Sequence, residues 1–171
     1  MLVLVMALNA GAQTFQPTND KSTVKFVIKN FHVNTGGEFK GLKGSITWDD
    51  EALEKCVFDI SIDAATVNTG IDSRDNHLRK EEYFDVQQYP VIVFKSGKVT
   101  RSGKSFTVYG RLSIKGITKD ISIPFTATTK PGGYLFEGSF ELNRKDYKVG
   151  GNSLVLSDNV TISLSVFAEG K

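Results

Sequence analysis

The sequence predicts an all-β protein of eight antiparallel strands with one short helix in the 71–84 region. Three observations carry this. Apolar and polar residues alternate strictly through most segments after residue 20. Gly- and Pro-containing turns such as Ser102-Gly103, Gly116, Pro131-Gly132-Gly133 and Gly150-Gly151-Asn152 separate the alternating runs. One interval, from Asn68 to Tyr89, abandons alternation for helical spacing. The strand–helix alternation that a parallel sheet requires is missing.

Each element has its own warrant. The first strand, 22–31, sets Val24, Phe26 and Ile28 against Lys25 and Lys29, with Val27 out of pattern. The second, 36–48, changes parity: Phe39 is odd, while Leu42, Ile46 and Trp48 are even. Gly41 or Gly44 is expected to supply a bulge that resets the face. The third, 54–65, opposes Phe58, Ile60 and Ile62 to Asp59, Ser61 and Asp63, and the fourth, 91–100, begins almost wholly apolar. The fifth, 104–115, alternates Phe106, Val108, Gly110, Leu112 and Ile114 with polar residues. The sixth, 119–130, does the same with Ile121, Ile123, Phe125 and Ala127. Pro124 sits on its polar face, removes a ladder donor and predicts a bulge or an edge. The seventh, 133–143, carries Tyr134, Phe136, Gly138, Phe140 and Leu142, and the eighth, 159–168, carries Val160, Ile162, Leu164 and Val166. In the interval between the third and fourth, Ser73 is a candidate N-cap with Asp75 near the positive helix end. Arg74, His77 and Leu78 then share a face at i, i+3 and i+4. Pro90 ends an element that would lid a barrel end or plug a gap between strands.

Composition narrows the function. A chain of 171 residues is one domain's worth. Its 21 Lys and Arg against 19 Asp and Glu, without a block of like charge, give no nucleic-acid footprint. The single cysteine, Cys56, forbids an intrachain disulfide, a CxxC motif and a cysteine-rich zinc site; at a strand start it reads as a small buried hydrophobe. The two histidines, His32 and His77, lack metal-site spacing. We therefore expect no metal, no catalytic group and no cofactor. No apolar run approaches the roughly 20 residues of a membrane span. Leu2 to Leu8, followed by Ala10-Gly11-Ala12, reads as the end of an export signal, so 1–12 is expected to be a signal-peptide remnant and 13–171 a single β domain. The first Lys or Arg is Lys21, so the charged region of a signal is missing and the position of the true start stays open; an N-terminal strand or core segment is the alternative. Export implies a periplasmic or secreted protein.

Eight such strands build either a sandwich or a closed barrel, and closure removes exposed edges. An eight-stranded barrel is filled by side chains or holds one small ligand. The converging faces are rich in Phe, interspersed with Gly110 and Gly138, which suits a channel; the alternative is that the rings simply fill the core.

Several segments together resemble the YceI-like family of lipocalin-like, polyisoprenoid-binding proteins. They are STVKFVIKN, GEFKGLKGSITWD, DAATVNTGIDSRDNHLRKEEYFDVQQYPVIVF, YGRLSIKGITKDISIPF and NRKDYKVGG, spanning about residues 20 to 168. The most specific is the central Arg-Asp-x-His-Leu cluster, followed by Phe-Asp and by Tyr-Pro leading into a strand. Asn30 stands where many relatives carry His, Tyr147 where Phe is usual, and Ser113 where Thr is common. The resemblance implies an eight-stranded antiparallel lipocalin-like barrel, export, and an isoprenoid lipid such as a prenyl quinone or polyprenyl phosphate held in an apolar pocket for storage or transport. Strand parity nominates Phe26, Ile28, Phe58, Ile60, Phe94, Val108, Leu112, Phe125, Phe140, Ile162 and Leu164 as the ligand-binding lining. Arg74 and His77 are the headgroup candidates. The competing role for Arg74 is to pair with a nearby carboxylate and pin the lid, and for His77 a structural hydrogen bond. Arg144 and Asp146 are expected to form a structural salt bridge. The rival functions are a filled-core structural or protein-interaction barrel and, further off, a metal-dependent enzyme. Monomer and dimer both remain open.

Overall fold

The computed structural model describes residues 11–170. The apolar run at the start of the chain, with its proposed export role, lies outside the described residues apart from Gly11 and Ala12.

Ten β segments form one sheet: β1 (Gln13–Pro17), β2 (Thr23–Asn30), β3 (Val33–Phe39), β4 (Lys43–Trp48), β5 (Val57–Asp63), β6 (Val91–Ser102), β7 (Ser105–Ile114), β8 (Ile117–Lys130), β9 (Gly133–Asn143) and β10 (Leu156–Gly170). They make eight staves. β1 and β2 lie end to end along one edge of β10, pairing with Ala168–Gly170 and Leu156–Ser165 respectively. β3 and β4 continue one another in the same way, β3 on β2 and β4 on β1. Every pairing is antiparallel, and the β1–β10 ladder closes the sheet on itself. The result is a closed eight-stranded antiparallel barrel, which decides between sandwich and barrel.

The interruptions have local causes. The parity change in the second stave falls between Phe39 and Leu42, where Gly41 adopts φ +74°; glycine takes this left-handed backbone without strain. β6 resets its face through a register shift between Ser96 and Lys98, so that Phe94 and Val99 both face inward. Pro124 marks an edge: β8 pairs with β9 only as far as Phe125 opposite Gly138, while its pairing with β7 continues past the proline. β1 is an addition to the expected strands. It carries one buried residue, Phe15, in the run QTFQP, too little for alternation to register.

The interior is divided between the two ends. At the end formed by the β6–β7, β8–β9 and β4–β5 connections, Trp48 stands at the centre of an aromatic cluster. Phe106, Phe136, Phe125 and Phe58 meet its ring edge-on at 4.9, 5.4, 5.7 and 6.1 Å between centroids. Edge-to-face pairs of this kind are each worth about 0.5–1.5 kcal/mol beyond the area they bury. Phe15, Ile46, Cys56, Val99 and Ala168 complete this solid core.

The other end is formed by the β2–β3 turn, the long 64–90 connection, the β7–β8 turn and the 144–155 loop. Helix α1 (Asp72–Leu78) lies there. Ser73 is inside this helix and is not its N-cap; Ile71 holds that position and offers no side-chain cap. Order comes instead from Asp75, which is buried and accepts from the backbone N–H of Thr69 at 2.9 Å and its hydroxyl at 2.5 Å.

Candidate functional site

Above the aromatic floor the barrel encloses an apolar cavity of about 650 Å³, well within the ~300–1,000 Å³ of small-molecule sites. Phe26, Ile28, Phe58, Ile60, Phe94, Val108, Leu112, Phe125, Phe140, Ile162 and Leu164 all line it. Successive strand residues point to opposite faces, so correct parity in each stave brings these side chains to one space. Phe58 and Phe125 also belong to the aromatic cluster and form the floor. The cavity is thus a pocket closed at one end and not a passage through the barrel. The space is not made by Gly110 and Gly138. A β-carbon at Gly110 would meet Lys95 O at 2.4 Å, and one at Gly138 would meet Pro124 O at 2.5 Å; at both positions a neighbouring strand closes in over the glycine.

Alternation could not reach the residues that the open end contributes. Leu78, Tyr83 and Phe84 from the 64–90 connection, and Tyr147 and Val149 from the 144–155 loop, also line the cavity. Leu78 was legible through its helical spacing from Arg74. The others lie in turns, where no period applies.

Arg74 and His77 both reach the cavity from α1. Arg74 does not pair with a carboxylate. Its Nε donates to Thr69 Oγ1 at 2.7 Å and its Nη2 to Thr69 O at 2.9 Å. Asp75, the carboxylate next to it in sequence, is already engaged by Thr69. Arg74 therefore ties the lid to the loop before it while its charge stays unneutralised. His77 Nε2 lies 3.1 Å from Glu82 Oε2 at the exposed side of the lid, in keeping with a structural histidine.

The loop wall is organised by Arg144, which is 3% exposed. Its guanidinium donates to the carbonyls of Ser157, Val149 and Gly151 at 2.9–3.0 Å. It pairs at 3.4 Å with Asp158, not with Asp146. Asp146 is two residues along a 3-10 turn and exposed, so nearness in sequence misleads here. With its donors spent on the loop, Arg144 is a scaffold. Tyr147 is 2% exposed, its hydroxyl has no hydrogen-bond partner, and burial, with Asp146 nearby, pushes its pKa up to about 12. Asn30 Oδ1 is likewise buried and unpartnered.

Among the described residues no group of three or more His, Cys, Asp and Glu could hold a metal ion, and no helix is long and apolar enough to cross a membrane. Cys56 is buried, with its thiol donating to Asp49 O at 3.2 Å, and burial raises its pKa.

Comparison with known proteins follows the same lines. A UPF0312 protein of Photorhabdus laumondii is 32% identical over 117 residues, covering 65% of this chain and 61% of that protein. One from Yersinia enterocolitica is 29% identical over 136 residues, covering 76% and 71%. The chain thus spans about three-fifths of the first relative's length. Among solved structures, BcnA of Burkholderia cenocepacia superposes with a TM-score of 0.84 at 24% identity, over 88% of this chain and 98% of that one. The Campylobacter jejuni YCEI protein gives 0.72 at 27% identity, over 81% and 86%. A polyisoprenoid binding domain from Saccharophagus degradans gives 0.73 at 19% identity, over 94% and 100%. The YceI-like domain model matches residues 15–168, from the first stave to the last, and the chain belongs to that family.

Proposed function

We propose that this protein binds an isoprenoid-type lipid in the barrel cavity and stores or carries it in the periplasm or outside the cell, without catalysing a reaction. The observation that supports this most directly is the pocket itself: about 650 Å³, apolar on every stave and closed at its floor by aromatic rings. A filled-core barrel is not compatible with that space. The likeness in fold to the Saccharophagus polyisoprenoid binding domain points to the same class of ligand.

The energetics favour a prenyl chain. Each CH₂ removed from water contributes about 0.8 kcal/mol, so a five-carbon unit contributes about 4 kcal/mol before ordering costs. Such a chain binds with few directed contacts, and the lining offers few. Its polar end would lie beside Arg74, whose charge has no carboxylate partner among the described residues and can meet a phosphate or a quinone oxygen.

Organic extraction of the natively purified protein, followed by mass spectrometry, tests this reading. A stoichiometric prenyl lipid is expected, and its headgroup decides between quinone and phosphate. Recovery of no lipid, together with no binding of added prenyl lipid, overturns it.

A further inference from the structure

We propose that the rim of the cavity mouth docks on the surface of an anionic lipid bilayer, so that cargo passes between membrane and pocket without crossing water. This deepens the lipid-binding reading and rests on it.

The first observation is where apolar surface is exposed. Among the described residues nine large hydrophobic side chains are exposed, and five of them, Phe31, Val33, Ile71, Leu154 and Val155, belong to elements of the open end. The three most exposed of the nine are here: Leu154 fully, Phe31 at 70% and Val33 at 66%. Their backbones are joined, since Phe31 N–H donates to Val155 O at 2.9 Å and Asn30 pairs with Val33 across the turn. Ile71 precedes helix α1, and its neighbours Thr69, Ser73 and Arg74 line the same cavity. Asn30, Thr35, Ser153 and Val155 line the cavity itself, so the exposed apolar rim runs directly into the pocket wall. Clustered apolar exposure of this kind marks an interaction surface.

The second observation is backbone strain. Phe31 and His32 are the two central residues of the β2–β3 turn, with φ of +50° and +65°. Such turns favour Asn-Gly, and a bulky aromatic residue at positive φ is costly. The fold nonetheless holds a Phe ring out in water at this tip. Strain kept at an exposed apolar tip points to a use for that tip. The adjoining 144–155 loop presents its apolar tip without such strain. Ser153 Oγ accepts from the N–H groups of Val155 and Leu156 at 3.2 and 3.0 Å, leaving Leu154 at the apex.

The third observation is charge. The outer face of β2 carries exposed Lys25, Val27 and Lys29 leading up to Phe31. Neither lysine has an ion-pair partner among the described residues; Glu38, opposite Lys25, is paired with Lys40. An apolar tip with Lys29 unpaired beside it suits a bilayer with anionic headgroups.

Co-sedimentation with phosphatidylcholine vesicles, with and without phosphatidylglycerol, tests the docking. Wild type is expected to bind the anionic vesicles more strongly. Losing burial of one such side chain costs about ten-fold in affinity, so Phe31→Asn and Leu154→Asp should each weaken binding by about that factor. Lys29→Glu should weaken binding to anionic vesicles alone. Because Asn tolerates positive φ, Phe31→Asn should also raise the melting temperature, which separates loss of docking from loss of fold. Absence of vesicle binding by wild type, or unchanged binding by Phe31→Asn and Leu154→Asp, overturns the proposal. So does sedimentation evidence of a wild-type dimer that these substitutions dissolve, since the rim would then be a self-association face. Extracted lipid without vesicle binding sinks the docking and leaves the carrier reading standing; vesicle binding without any bound or bindable prenyl lipid sinks the carrier reading instead.

Discussion

The ring of Phe26 lies over Gly37, its cross-strand partner, so closely that a β-carbon on the glycine would come within 2.4 Å of Phe26 Cζ. Phe26 also packs against Phe39 at 5.6 Å and lines the pocket. The missing side chain therefore sets where one wall of the cavity stands. Gly37→Ala should push the ring inward and destabilise the fold by about 1–3 kcal/mol through overpacking. Thermal melting and lipid extraction on the same preparation check both effects.

The solid and hollow parts of the interior should respond oppositely to substitution. Trp48→Ala removes the ring around which four phenylalanines are arranged and is expected to cost about 3–5 kcal/mol. Phe140→Arg, on the cavity wall, should abolish lipid retention at a much smaller cost in stability, because the pocket mouth gives the long side chain a route toward solvent. Denaturant titration and mass spectrometry separate the two. Equal lipid content in Phe140→Arg and wild type would remove that wall from the binding site.

Arg144 supports the 144–155 loop by satisfying three carbonyls. Arg144→Ala should cost about 3 kcal/mol or more, since it orphans these acceptors and leaves a buried gap. Arg144→Lys should recover little, because an ammonium lacks the planar fork that reaches several acceptors at once. Amide hydrogen exchange should show the loss confined first to residues 144–156.

Tyr147 gives an alkaline signature. Its pKa in the folded protein is about 12, against 10.0 for the free phenol. The unfolded chain therefore releases this proton first. The stabilisation is fully present below pH 10 and falls as pH rises toward 12. Tyr147→Phe removes both the titration and an unpartnered hydroxyl. It should be neutral or stabilising by about 1 kcal/mol at neutral pH and should flatten this part of the pH–stability profile. A steeper alkaline loss in the variant would contradict the assignment.

Cys56 should be chemically quiet while the protein is folded, because burial holds the thiol in its protonated form. Labelling by iodoacetamide is expected to be slow in native buffer and fast in denaturant. Rapid native labelling would mean that the β4–β5 end opens far more readily than its packing suggests.

The staves and the cavity wall were legible because a half-buried strand must alternate, and parity alone carries Phe26, Phe94, Phe140 or Ile162 inward. Parity does not say at what height a ring lies. Phe58, Phe125 and Phe140 all point inward, yet the first two close the floor and the third stands on the open wall. Height follows from stagger between strands, which depends on the shift at Ser96/Lys98 and on the joint at Gly41. Turn-borne residues such as Tyr83 and Tyr147 were illegible for a different reason: they are placed by Lys115 and Arg144 binding loop carbonyls, a pattern without periodicity. The expected partners of Arg74 and Arg144 were carboxylates nearby in sequence, whereas the fold offered Thr69 and Asp158.

The concentration of rings around Trp48 means that, on the proposed carrier reading, cohesion and cargo handling would reside at opposite poles of one small molecule. The far pole anchors the staves whether or not anything is carried, so the near pole can loosen, admit or surrender a guest without risking collapse. Cargo preference should accordingly be free to drift by substitution around the mouth, while the aromatic pole tolerates almost none.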